Sequence, residues 1–343
     1  MKRRQFFFSC VPALAAGSLA LRVPRAQAAE DAQAPLQLRL ATLAPAGSSW
    51  MRVFNAWKNS LEQRAAGRLR LTFYPGGSAG DERDVVRKLH EGQLDGAALT
   101  TVGLGQIVRP VLVLQAPGAC QSYAEVDAVR TQLAPEFERE FERAGFKLLG
   151  WGDAGLARIF SNRPLLAPQD MQQTRMWSWR DDPNWQAVLA ACNVSGVSLG
   201  LPEVYPALRT RRIDAFPGTA IAAVAFQWHT KASYVTREPR GVVIGAVVLK
   251  QNKFEALPAD LKAALLETSE QANQLLARTI RRDDQAAFDA IVQRGVQPVD
   301  TSGQREAWEA VSRKARAALA GQLYPAEFLQ RVEQIARGVR EKP

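Results

Sequence analysis

Residues 36–40, Leu-Gln-Leu-Arg-Leu, alternate apolar and polar positions and predict a strand. Ser48 and Ser49 then offer caps for a helix whose apolar positions Met51, Phe54, Trp57 and Leu61 recur at spacings of three and four. Gly67 stops it. Leu69, Leu71 and Phe73 alternate again, and Pro75-Gly76-Gly77 ends this second strand. Asp81 or Glu82 opens a helix through His90, and residues 94–100 form a strand apolar enough to be buried on both faces. This β-α-β-α-β order with short loops predicts a parallel sheet covered by helices.

Ser122 and Glu125 form a capping box for a helix to about Arg143. Strands are expected at residues 146–151, 158–160, 174–177, 194–199 and 241–250, with a helix over 202–211. Residues 258–294 contain no Gly and no Pro after the first position. Leu261, Leu265, Leu276, Ile280 and Ile291 keep a helical period there. One helix of 37 residues, about 55 Å long, is expected, too long for a single lobe of this size. A last helix over 305–340, broken near Gly321 and Pro325, follows a capping box at Thr301 and Gln304.

The chain has 343 residues, 47% of them hydrophobic and 23% charged, which excludes a disordered chain and suggests two domains. Lys2, Arg3 and Arg4, an apolar stretch over 6–21 and the small-x-small site Ala26-Gln27-Ala28 read as a signal peptide cleaved near Ala28. Arg3-Arg4 leaves Sec and twin-arginine export both open. Residues 1–28 carry five basic side chains and no acid, so the formal charge of +10 becomes 39 basic against 34 acidic groups after cleavage. No basic block interleaved with aromatics remains, which excludes nucleic acid as a partner. Cys120 and Cys192 remain after cleavage, either bridged or free.

Catalytic chemistry is thin. The chain's two histidines, His90 and His229, have no second ligand at metal spacing, and no phosphate or dinucleotide loop is present. No metal and no cofactor is expected. Gly76-Gly77-Ser78-Ala79-Gly80 fits the spacing of a nucleophile elbow, so an exported serine hydrolase using Ser78 is a minor alternative. An exported two-lobed α/β chain without an evident catalytic set points instead to a binding protein that closes on a solute. Ligands of such folds lie beyond the carboxyl ends of the strands. Those ends are residues 44–50, 76–83, 100–104, 177–182 and 216–219.

Four motifs in register carry a family resemblance. They are Leu43-Ala-Pro-Ala-Gly-Ser-Ser-Trp50; Tyr74-Pro-Gly-Gly-Ser-Ala-Gly-Asp-Glu82 with Gly92-Gln-Leu-Asp-Gly96; Asn162-Arg-Pro164 with Pro168-Gln-Asp-Met171; and Glu203-Val-Tyr-Pro-Ala-Leu-Arg-Thr210 with Ile213-Asp214. Over residues 36–295 the chain resembles the solute-binding receptors of tripartite ATP-independent periplasmic (TRAP) transporters, of the dicarboxylate-receptor type. The resemblance implies a two-lobed periplasmic-binding-protein fold of the α/β class, with a cleft between the lobes and a long helix spanning both. Residues 36–152 with about 242–282 would form one lobe, and 153–241 with about 283–343 the other. It also implies a periplasmic receptor that delivers a small organic solute to a small and a large membrane subunit without ATP hydrolysis.

The chain departs from the family pattern at the expected polar anchors. The usual carboxylate-binding Arg is matched by Trp177, a second Arg by Ala157, and an Asn by Gly218; Arg158, next to Ala157, is expected on the opposite face. A buried carboxylate without a cation is costly. Trp177 and Trp179 share one face. With Trp50, Leu201, Phe216 and Trp228 they are expected to line an apolar cleft for a hydrophobic, aromatic or amphipathic solute. Ser49, Glu82, Arg83, Thr100 and Asp182 are the polar candidates. The alternative is an organic acid held by Arg83 and backbone donors.

Overall fold

The computed structural model describes residues 34–341. The expected signal peptide lies outside these residues. The first half follows the apolar periodicity: β1 (Leu36–Thr42), α1 (Ser49–Arg64), β2 (Leu69–Tyr74), α2 (Glu82–His90) and β3 (Gly96–Thr100). Ser48 caps α1 by accepting from the Met51 N–H at 3.3 Å, and Asp81 caps α2. β1 pairs parallel with both β2 and β3, as alternating strands and helices require. Beyond β3 lie α3 (Thr101–Ile107), a 3₁₀ segment at Arg109–Gln115, and α4 (Tyr123–Arg143), capped by Ser122.

β4 (Phe146–Ser161) is one strand of 16 residues where the sequence suggests two. It is followed by β5 (Trp177–Trp179), α5 (Pro183–Ala191), β6 (Val197–Leu199), α6 (Val204–Arg209), β7 (Ala215–Thr219), α7 (Ala220–Ala225), β8 (Tyr234–Thr236) and β9 (Gly241–Lys250). The strand expected at 174–177 is thus shifted to start at Trp177, and that expected at 194–199 is trimmed to its last three residues. The chain ends through α8 (Gln251–Glu255), α9 (Ala259–Gln293), β10 (Gln297–Val299), α10 (Arg305–Leu319) and α11 (Ala326–Arg340). The break before α11 is real: α10 packs on α5, whereas α11 turns back onto α4. The capping box expected at Thr301 does not form; the Thr301 N–H and hydroxyl bond to Glu238 instead.

The main sheet runs β10-β8-β4-β9-β3-β1-β2, with β7 also on β4. It is mixed: β9 is antiparallel to β3 and to β4, so the parallel pairing expected of the first strands stops at β3. One apolar core packs α3, α4 and α11 on the sheet; a second packs α1 and α9 on its other face. Two more cores lie around β5–β8 and between α5 and α10. The fold is the two-lobed α/β class expected from the sequence.

β4 is continuous because α9 lies along it. Where the two are closest, β4 carries glycine. A Cβ on Gly150 would fall 1.8 Å from Nδ2 of Asn273, whose amide donates to the Leu149 carbonyl at 3.0 Å. A Cβ on Gly152 would fall 2.7 Å from the Leu276 side chain. Gly155 has a φ of +116°, and a Cβ there would meet Asp284 Oδ1 at 2.7 Å. The Asp284 carboxylate accepts from the Leu156 N–H at 2.9 Å and the Ile221 N–H at 3.0 Å, joining α9 to β4 and to the start of α7. Gly155→Ala introduces both a disfavoured φ and this overlap. It is expected to lower stability by about 1–3 kcal/mol in urea unfolding; an unchanged midpoint with an unchanged slope would refute this account of the contact.

Candidate functional site

The carboxyl ends of β1 and β3 face β4, β5, β7 and α5 across a cavity of about 290 Å³. That volume is at the lower end of the range for small-molecule sites. Of the site residues expected from the sequence, Trp50, Glu82, Thr100, Trp177, Trp179, Asp182, Leu201 and Trp228 line it.

Three do not. Ser49 is buried against α9, its hydroxyl donating to Asp283 at 2.6 Å. Phe216 is 1% exposed and lies behind the wall, stacked on Phe160 at 5.0 Å. Arg83 follows Glu82 on α2 and so turns away from it by about 100°. Its side chain is 65% exposed and loosely paired with Asp181 at 3.8 Å. An acid held by Arg83 therefore has no support in this geometry. Ser78 sits exposed in the glycine turn outside the wall. His229 does not line the wall either, and its Nδ1 lies 2.9 Å from the Ala223 carbonyl.

Trp177, Trp179 and Trp228 form one aromatic group. Trp177 stacks on Trp179 at 6.0 Å and meets Trp228 edge-on at 5.4 Å, and Phe226 stacks on Trp228 at 5.0 Å. Five of the six indole N–H groups of the wall are engaged by the protein; that of Trp228 has no protein acceptor among the described residues. Trp177 donates to the Leu199 carbonyl at 3.1 Å and Trp185 to the Trp177 carbonyl at 3.0 Å. Trp50 donates to the Asp153 carbonyl at 3.3 Å and Trp308 to the Leu166 carbonyl at 2.9 Å. Trp179 donates to Asp81 Oδ2 at 3.0 Å. These rings therefore offer the cavity their apolar faces. The three positions where the family pattern expects polar anchors, Trp177, Ala157 and Gly218, all belong to the wall.

The wall carboxylates are engaged as well. Glu82 is 2% exposed and accepts from the Thr100 N–H at 2.7 Å, the Thr100 hydroxyl at 2.8 Å and the Gly103 N–H at 2.6 Å. It so completes the start of α3, which Thr100 caps. Burial outweighs these bonds and pushes its carboxyl up to about 7. Asp182 caps α5, accepting from the Trp185 N–H at 3.1 Å, and desolvation raises it to about 6. Asp153 is ion-paired with Arg130 at 2.9 Å and Arg281 at 2.7 Å; both arginines also hold Asp127.

Asp81 makes a bridge beside the cavity. Its Oδ1 accepts from the Glu82 N–H at 2.9 Å, while Oδ2 accepts from the Trp179 indole and the Leu201 N–H, both at 3.0 Å. The start of α2 is thereby tied to β5 and to the turn before α6. Cys120 and Cys192 are both buried and free; burial raises their thiols to about 12 and about 11.

Sequence reasoning missed Arg158, Arg240, Asn184, Trp185 and Trp308, all of which line the cavity. Strand alternation turns Arg158 away from Ala157, yet the residue borders the cavity, with its guanidinium over Phe288 at 4.1 Å. Arg240 and Trp308 come from a loop and from α10, to which no motif points.

A two-lobed α/β fold with a cavity beyond the strand ends is an arrangement suited to holding a small solute. The description of bacterial extracellular solute-binding proteins, family 7, matches residues 40–321, and the chain belongs to that family. The resemblance to TRAP receptors is borne out. A solute-binding protein of Sulfitobacter is 21% identical over 88% of this chain and 92% of its own. The C4-dicarboxylate-binding periplasmic protein DctP of Shewanella loihica is 24% identical over 74% of this chain and 76% of its own. A TRAP solute-binding protein from Shewanella oneidensis with bound succinate superposes with a TM-score of 0.83 at 17% identity, over 88% of this chain and 100% of that one. The sugar-acid-binding protein DctPAm from Advenella mimigardefordensis with galactonate also gives 0.83, at 13% identity, over 89% and 99%.

Glu82 gives the site a pH signature. Its folded value of about 7 lies above the ordinary 4.5, so the folded state holds the extra proton between these values. Stability from this group is full below about 4.5 and falls as pH rises to about 7. Measured against Glu82→Gln, the wild type is expected to lose about 3 kcal/mol across that window and to run parallel outside it. A difference that stays flat from pH 4 to 8 would disprove the assignment.

Proposed function

We propose that the protein is a periplasmic TRAP receptor. It captures a small organic acid with an apolar, aromatic or amphipathic body and delivers it to a small and a large membrane subunit. The observation that carries the solute class is the Trp177–Trp179–Trp228 group, with the N–H groups of Trp177 and Trp179 already engaged by the protein. Family relatives named for their ligands support the acid: succinate and galactonate occupy two of the solved structures. Trp177 at the usual anchor position supports the apolar body. With the lobes divided at residues 152/153, 241/242 and about 282/283, Asp81 and Leu201 belong to opposite lobes. Their hydrogen bond then closes the cleft over the solute.

The test is mass spectrometry of the compound that co-purifies with the protein from its native periplasm and is released on denaturation. An acid with an aromatic or aliphatic body, near one per chain, is expected. A small dicarboxylate or a sugar acid would overturn the apolar part of the reading. Trp177→Phe is expected to weaken binding of the released compound about tenfold, since aromatic contacts contribute roughly 0.5–1.5 kcal/mol beyond their area. Asp81→Ala removes the closing bond, together with the cap of α2 and the acceptor of the Trp179 indole, so circular dichroism is recorded beside the release rate to confirm the fold. The substitution is expected to speed release about tenfold in stopped-flow measurements, for a bond to a charged group of about 1.5 kcal/mol or more. An unchanged release rate would dismiss Asp81 as the closure.

A further inference from the structure

The charges of the cavity wall do not balance. Glu82, Asp153 and Asp182 are each satisfied by N–H groups or arginines of the protein. Arg158 and Arg240 line the same cavity and form no ion pair among the described residues. Arg158 is 5% exposed; its Nη1 donates to the carbonyls of Thr236, at 3.2 Å, and Arg237. Arg240 lies over the Trp308 ring at 4.4 Å, and its Nη2 donates to the Thr301 hydroxyl. The Nε of each guanidinium is buried without a partner. The nearby carboxylate of Glu238 is turned to the Thr301 N–H at 2.6 Å. Burial lowers both arginines, Arg240 to about 10, and the charge of Arg158 adds to that lowering.

A buried cation without an ion-pair partner is costly; Asp284 and Glu238 act on these two arginines only from a distance longer than an ion pair. The cost is relieved by an anion that accepts charge-assisted hydrogen bonds. Trp308 holds the Arg240 plane from one side, which orients its fork. Beside the pair, the Asn184 side chain donates to the Leu112 carbonyl at 2.9 Å and leaves its own oxygen buried and unpaired, an acceptor for a hydroxyl or a water.

We propose that Arg240, with Arg158 behind it, holds the carboxylate of the solute and replaces the anchor that Trp177 displaces. The cavity then selects a monocarboxylate whose body packs on the tryptophan group. This rests on the reading of the cavity as the solute site.

The test uses the exported protein, freed of endogenous solute by unfolding and refolding. It is titrated calorimetrically with benzoate, phenylacetate, phenylpropionate and indoleacetate, each beside its neutral amide. At least one acid is expected to bind tenfold or more tightly than its amide. Arg240→Gln should abolish that preference, and Arg240→Lys, which keeps the charge and loses the fork, should retain part of it; circular dichroism confirms that both variants fold. If acids and amides bind alike, or if Arg240→Gln keeps the preference for the acid, the anion site is wrong while the aromatic cavity stands. If no acid and no amide binds, both the anion site and the aromatic reading fall.

Discussion

The structure depends on the contact between α9 and β4. A helix of 35 residues and a strand of 16 residues run along each other at a separation that only glycine permits. Gly150, Gly152 and Gly155 receive Asn273, Leu276 and Asp284. The polar members of this set bond to the β4 backbone where its pairing with β9 shifts register, between Leu148 and Gly150 and between Asp153 and Gly155. The irregular strand thus finds its missing partners on the helix. Asp153, between two of the glycines, is held by Arg281 of the same helix and by Arg130 of α4. Breaking one partner of such a buried set leaves an uncompensated charge. The strand that passes along the cavity is therefore fixed by residues far from it in sequence.

Around that frame the cavity divides into groups that are satisfied and groups that are not. Both kinds follow from local structure. Glu82 and Asp182 complete helix starts, so their negative charge belongs to α3 and α5. Five of the six wall tryptophans donate to carbonyls or to Asp81, so they add surface without adding donors; Trp228 is the exception among the described residues. What is left over is cationic. It sits on Arg158 and Arg240, where β4 passes between β8 and β9 inside the sheet.

Much of this was legible in the sequence. Period-two and period-3.6 patterns placed β1 to β3 and their helices, because each element has one buried face. The run without Gly or Pro gave α9 within two residues of its ends. The single strand β4 reads as two in the sequence, at 146–151 and 158–160; the glycines between Leu149 and Leu156 have their reason in the approach of a helix more than a hundred residues away. Eight of the expected residues line the cavity, six of them at strand ends that the sequence marks. Ser49, Arg83 and Phe216 were placed on the cavity because the pattern shows which segment is near and not which way a side chain turns. Arg240 was out of reach. It stands in a loop before β9, and it matters only because Trp308 of α10 folds under it.

The engaged indoles have a consequence for discrimination. Ring faces have no hydrogen-bond code, so the part of the wall built from engaged indoles does not read the pattern of hydroxyls on a substrate; the unpaired Asn184 oxygen and the Trp228 N–H are the polar exceptions. A hydrophobic pocket separates compounds that differ by one methylene by roughly 10–200-fold and rejects an added hydroxyl weakly. On the proposed reading, such a receptor would sort compounds by length, thickness and charge. It would tolerate a series of related ring substituents, acting as a gate for a chemical class more than for a single metabolite.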